Sequence, residues 1–232
     1  MSTDPLPSSS PDASGIRRRD LVAGTAGVAV IGVSRAAGED HSHGNDAIGV
    51  QGAASGIQLI AQIDQVGDTL TGYGYLTRVE GLSLEQIYFA GGGRDQSTAR
   101  FTFFSTAKVA SIQMLDTLIV AIANGQVDFF LRAGPGASFD QPASFAQGER
   151  IAVDEASLQN VLNVTSPGIG VTTVFADLRR TAVHDFHLDG TRYHLGRAGL
   201  RSRLVAPGKS RRIEPVAPTS VEFIAGNITN PQ

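Results

Sequence analysis

From Ile57 to Thr229 the chain is a succession of short runs rich in Val, Ile, Leu, Thr, Phe and Tyr, broken by turn residues. This pattern limits the fold more than any other feature, because the runs suit half-buried strands and no stretch suits a long helix. IQLIAQI (57–63) and TLTGYGYLT (69–77) are joined by a turn at Gly67-Asp68. ARFTFFSTAKVASIQML (99–115) is followed, past Asp116, by TLIVAIA (117–123) and QVDFFLR (126–132). Asn124-Gly125 is a strong hairpin dipeptide and predicts a turn between the last two. RIAVDE, SLQNVLNVT, GVTTVFADLRRTAV, HDFHLDG, TRYHLGR, LRSRLVA and SVEFIAGNIT read as further strands, with a second tight hairpin at Asp189-Gly190. The expectation is an all-β domain over residues 56–232, a single antiparallel barrel or sandwich of about 8–10 strands. Closure into a barrel removes exposed edges.

Two departures from strand character stand out. Ser83 with Gln86 three residues later forms a capping-box pattern and predicts one short helical turn. AGPGASFDQPASFAQG (133–148) reads as a long loop whose Phe residues plug one end of the fold.

The N-terminal segment is of another kind. Arg17, Arg18 and Arg19 precede an uncharged run from Leu21 to Ser34, and Ser34-Arg35-Ala36 places small residues at the −3 and −1 positions of a cleavage site. A basic region, a short apolar core and a small-x-small end form an export signal. The apolar run is shorter than the roughly 20 residues that a membrane-spanning helix needs. Arg18-Arg19-Asp20-Leu21-Val22 resembles the twin-arginine signal, with Arg17 and Leu21 as departures from its usual pattern. That resemblance implies recognition by the twin-arginine export machinery. Removal near Ala36 or Ala37 would leave a periplasmic, envelope or extracellular protein with no membrane span. Residues 38–55, small and polar, read as a flexible linker.

Composition excludes several chemistries. The chain has no cysteine, so it has no disulfide, thiolate metal site or cysteine nucleophile. Gly91-Gly92-Gly93-Arg94 lacks the Lys-Ser/Thr of a phosphate loop, and neither Gly-x-Ser-x-Gly nor His-Glu-x-x-His occurs. Asp154 and Glu155 are adjacent, so on a strand they face opposite ways and form no acid–base pair by themselves. No cofactor is implied. Residues 38–178 carry a net charge of −9 and residues 179–212 a net charge of +7. The basic segment suits an anionic surface ligand or, equally, a solvated strand face paired with acidic neighbours. Nucleic acid is not expected, since no basic platform interleaved with aromatics is present.

The densest polar cluster is HDFHLDGTRYH (184–194). A two-residue turn at Asp189-Gly190 places Asp185 opposite His194 and His187 opposite Arg192. Asp185, His187, Arg192 and His194 then share one face, while Phe186, Leu188, Thr191 and Tyr193 share the other. Asp185, His187 and His194 are candidate metal ligands or an acid–base group, and the four together are a candidate ligand site. The plain alternative is a solvated face with cross-strand pairs. Phe101, Phe103, Phe129, Phe175 and Phe186 either line a ligand cavity or fill the core.

The segment Ala99 to Arg180 resembles the allene oxide cyclase and dirigent-like barrels. The likeness lies in a strand, the Asn-Gly dipeptide, a second strand and an apolar strand ending in Pro-Gly-Ile-Gly (167–170). It implies an eight-stranded antiparallel barrel around an apolar cavity and carries over no functional residue. The chain also resembles uncharacterised exported proteins of bacteria. With no catalytic motif, the reading is a non-enzymatic exported domain that binds a small apolar or anionic ligand or a surface polymer. A cyclase- or isomerase-type enzyme and a structural envelope protein are the alternatives.

Overall fold

The structure, a computed structural model, describes residues 46–48, 55–212 and 218–230. The segment read as an export signal, with Arg18, Arg19, Ala36 and Ala37, and most of the 38–55 segment lie outside the described residues. Inside that segment, Asp46–Ile48 forms a strand, β1.

The remaining strands are β2 (Ser55–Val66), β3 (Thr69–Val79), β4 (Phe101–Leu115), β5 (Leu118–Leu131), β6 (Glu149–Ser166), β7 (Ile169–Val183), β8 (Asp185–Leu188), β9 (Thr191–Leu195), β10 (Arg201–Arg212) and β11 (Ser220–Thr229). Eight of them close an antiparallel barrel in the order β10-β11-β2-β3-β4-β5-β6-β7. The fold is therefore all-β, as the strand pattern predicts. A small second sheet, β1-β9-β8, is made from the 185–195 hairpin and the parallel strand β1 beside it. Among the described residues, no helix is long and apolar enough to cross a membrane.

Alternation along each strand selects what enters the barrel. On β6, Asp154, Ala156, Leu158, Asn160, Leu162 and Val164 share a phase; their partners on β7 are Arg180, Leu178, Ala176, Val174, Thr172 and Gly170. Phe103, Phe129, Ala61 and Ile224 enter from the other walls and are buried. The two ends differ. Two-residue hairpins at 67–68, 116–117 and 167–168 turn at one end. The long connections 80–100, 132–148 and 184–200 lie at the other. There the small sheet covers the barrel, and Phe186 of β8 meets Phe101 edge-on at 5.9 Å.

The buried pair of Asp154 and Arg180 sits just beneath that cover, with side chains 1% and 3% exposed. Arg180 grips Asp154 through two nitrogens, Nε to Oδ1 and Nη2 to Oδ2, the latter at 3.1 Å. Its Nη1 donates to the Leu195 carbonyl of β9. The guanidinium also lies over the Phe129 ring, 5.2 Å from its centre. One side chain thus ties two walls of the barrel to its cover. Asp154 faces inward and Glu155 outward, as their adjacency predicts.

Three expectations need correction. Asn124-Gly125 is not a turn: both residues lie inside β5 and pair with Lys108 and Ala107 of β4. The turn is Asp116-Thr117, between paired Leu115 and Leu118, with Asp116 at φ 53°. Gly125 answers to a different need. A Cβ there would lie 2.1 Å from the Thr106 carbonyl oxygen and 2.6 Å from the Ala107 Cα, so the neighbouring backbone claims the space a side chain would take. Second, RIAVDE and SLQNVLNVT are one strand, β6, with a register shift at Val153/Asp154 against β7. Third, the 133–148 loop, which contains a 3₁₀ turn at Pro142–Ala146, does not plug an end. Phe139 and Phe145 pack on the outer face of the wall, against Tyr73, at ring separations of 6.1 and 5.5 Å. Phe145 is fully buried, which contributes roughly 1.5–3 kcal/mol. The Asp189-Gly190 hairpin is as predicted, with φ of 51° and 83°. So is the helical turn Leu84–Ile87, where Ser83 N–H donates to Gln86 Oε1 at 3.0 Å.

Two outcomes are expected from stability measurements. Asp154→Leu or Arg180→Met alone costs about 3–5 kcal/mol in urea unfolding, because each strands a buried charge, while the two together cost less than either single change. Additive losses in that cycle would contradict the pair's role. Gly125→Ala destabilises by about 1–3 kcal/mol through backbone crowding; the exposed Asn124→Ala changes stability by less than about 0.5 kcal/mol.

Candidate functional site

Among the described residues, the hairpin end of the barrel is open. A cavity of 420 Å³ descends from it, walled by Leu70, Val109, Ile119, Ala121, Leu162 and Val164. Ile112, Met114 and Ile169 extend the apolar wall to the rim, where each is more than half exposed. Below the floor of the cavity the interior is nearly filled, with only a 50 Å³ apolar void among Phe103, Val127, Leu158, Val174 and their neighbours. Phe103, Phe129, Phe101 and Phe186 are core. Phe175 points outward, beneath Arg203.

The floor is polar. Glu222 of β11 points inward on the same phase as Ile224 and Ile228 and is 6% exposed. Asn160 Nδ2 donates to its Oε1 at 2.7 Å. Thr172 Oγ1 lies 3.3 Å from its Oε2 and also contacts Asn160 Oδ1. Burial pushes the Glu222 carboxyl above the usual carboxylate range, and hydrogen bonds from Asn160, Thr172 and Ser210 offset part of that rise. None of these three partners carries a charge.

The sequence-predicted polar cluster is elsewhere. Its register is as expected, Asp185 opposite His194 and His187 opposite Arg192. Phe186 and Leu188 are buried and Asp185, His187 and Arg192 are exposed. Asp185 accepts an ion pair from Arg192, its diagonal neighbour, rather than pairing with His194. Half-buried His194 has its Nδ1 enclosed without a hydrogen-bond partner among the described residues. Among the described residues, no three His, Asp or Glu side chains are gathered to hold a metal ion. None of the four lines the cavity at the hairpin end or the apolar void beneath it, and Asp185, His187 and Arg192 are on the outer face of the cover.

The basic segment is split by strand alternation. Arg180 is the inward ion-pair partner already described. Arg201, Arg203, Lys209 and Arg211 face outward along β10. Several cations of the segment have acidic partners: Arg179 with Glu155 at 2.5 Å, Arg203 with Asp177 at 3.9 Å, and Arg192 with Asp185.

Neither family models, nor known proteins, nor solved structures match this chain. The site is therefore read from its own geometry.

The raised Glu222 carboxyl has a signed consequence for stability. Its ionisation is easier in the unfolded chain, so the folded state is favoured below the unfolded value and loses that advantage as pH rises through the folded one. Thermal melts of wild type and Glu222→Gln across the acidic-to-alkaline range should show the wild type losing ground as pH rises. A difference that stays constant with pH would mean that Glu222 ionises as freely in the fold as outside it.

Proposed function

We propose that the protein is an exported barrel that binds a small, largely apolar ligand in the cavity at its open end. The observation that carries this is the contrast between the two ends. One is sealed by a packed cover and an ion pair; the other holds 420 Å³ of apolar-walled space above a polar floor. Binding pockets commonly combine such walls with a few polar groups that orient the ligand. Export rests on Arg18-Arg19 and the apolar run that follows, read by the twin-arginine machinery, with Ala36 or Ala37 at the cleavage point.

Kinship with the allene oxide cyclase and dirigent-like barrels is supported by eight antiparallel strands around a cavity. It is weakened by the Asn-Gly dipeptide, which lies within a strand and marks no hairpin. A catalytic role inside the barrel would fall to Glu222, the one acidic side chain on the cavity wall among the described residues. The binding reading needs no reaction and is preferred.

A neutral apolar fluorophore such as diphenylhexatriene tests the cavity. Saturable one-to-one binding is expected. Ala121→Trp, which fills the space from β5, should weaken it at least about tenfold, a loss of about 1.4 kcal/mol, while the far-UV spectrum stays unchanged. No saturable binding, or equal binding by the filled variant, would remove the proposal.

A further inference from the structure

The cavity floor holds a carboxyl in an incomplete arrangement. Asp154, the other deeply buried carboxylate in the barrel interior, is matched by Arg180. Among the described residues, Glu222 has no ion pair, although it is 94% removed from solvent by its 6% exposure. Buried charges are normally paired.

Neutral side chains supply the hydrogen bonds around it. Thr172 has one hydroxyl proton and two oxygen neighbours, Asn160 Oδ1 in close contact and Glu222 Oε2 at 3.3 Å. Asn160 donates to Glu222 Oε1, and the single Thr172 hydroxyl proton is shared between Asn160 Oδ1 and Glu222 Oε2. Burial favours the neutral form of the carboxyl, against the hydrogen bonds from Asn160, Thr172 and Ser210.

Arg212 stands at the lip and is the only other charged side chain on the cavity wall among the described residues. Lys209 and Arg211 of β10 flank inward Ser210 and face outward. On β2, Asp64 is turned to the outer face, where it accepts from Tyr73 at 2.7 Å. Asp68 and Lys108 pair with each other at 2.7 Å. The inward positions of β6 and β7 nearest Glu222 are Asn160 and Thr172, both neutral.

We infer that Glu222, framed by Asn160, Thr172 and Ser210, is the seat for the ammonium head of a ligand whose hydrocarbon body lies along the apolar wall. This rests on the reading of the cavity as a ligand site. An alkylammonium brings the positive charge that the carboxyl lacks. On binding, the Glu222 O–H bond breaks, its proton passes to solvent, and the carboxylate pairs with the N–H groups of the head. An anionic head would meet the carboxyl as a like charge. A divalent cation would find one carboxylate where it needs several oxygens.

Isothermal titration of the full-length protein with decylammonium, and separately with neutral decanol, tests this from about pH 5 to pH 8 in two buffers of different ionisation enthalpy. Decylammonium affinity should rise with pH, approaching about tenfold per unit while one proton is released, and level off once Glu222 is ionised in the free protein. Decanol affinity should not rise. Glu222→Gln should lose decylammonium at least about tenfold at the upper pH, or about 1.4 kcal/mol, and keep decanol within about twofold. The pH and proton-release readings come from wild type and stand even if the variant does not fold. Decanol binding with pH-independent decylammonium binding and no proton release would overturn the ammonium seat and leave the cavity reading intact. Failure of both probes to bind would overturn the cavity reading and the inference with it.

Discussion

The ion pair of Asp154 and Arg180 is the interaction on which the rest of the barrel is arranged. It joins β6 to β7 and then, through the Leu195 carbonyl, joins the barrel to its covering sheet. An arginine suits this place because its flat fork can hold a carboxylate, donate to a third oxygen and lie on an aromatic face together. The Phe129 ring supplies that face. A buried ion pair adds little net stability compared with a well-packed apolar pair, and its value lies in specifying one arrangement. Here a displaced cover would leave the Leu195 carbonyl and one guanidinium nitrogen without each other.

Closure of the sheet follows from features of a different size. Three two-residue hairpins frame the end that holds the cavity, where Arg212 of β10 and Ser220 of β11 also pair. The connections 80–100, 132–148 and 184–200 are at the other end, and they supply the cover, the short helix and the 133–148 loop. That loop gives the wall a second apolar layer on its outside, through Phe139 and Phe145 against Tyr73 and Tyr75. The core is therefore not a single cylinder filling. It extends through the wall on the β3–β4 side and stops short of the mouth.

Much of this was legible in the sequence. Alternation and turn chemistry identified the all-β class and most strands, and Asp189-Gly190 gave the register of the last hairpin correctly. Asn124-Gly125 misled because the dipeptide suits a turn by local preference, whereas Gly125 is required by the approach of β4, a neighbour that only the folded sheet supplies. Asp116-Thr117, the true turn, carries no glycine and gives a weaker signal. The His-rich hairpin drew notice by composition, yet its polar face points away from any cavity. Glu222 and Asn160 carried a readable mark: each sits in the apolar phase of its strand, with Ile224 and Ile228 or with Leu158 and Leu162. A polar residue in that phase must be buried, but which strands bring their phases together is set by closure, and that is not written locally.

The two polar centres of the interior differ in the one respect that separates a structural element from a site. Asp154 and Arg180 satisfy each other, and the cover takes the remaining donor. Among the described residues the Glu222 floor has neutral partners alone, and it opens to the cavity. A barrel that needed only to stand could place an apolar residue at 222, in phase with Ile224 and Ile228, and avoid the cost of a buried carboxyl. Retaining an acid there, beneath walls of Leu and Val and within reach of an open mouth, places the energetic cost where an incoming charge can relieve it. Under the proposal of an ammonium seat, the two ends are two uses of the same device, one completed by the chain and one completed by a bound cation.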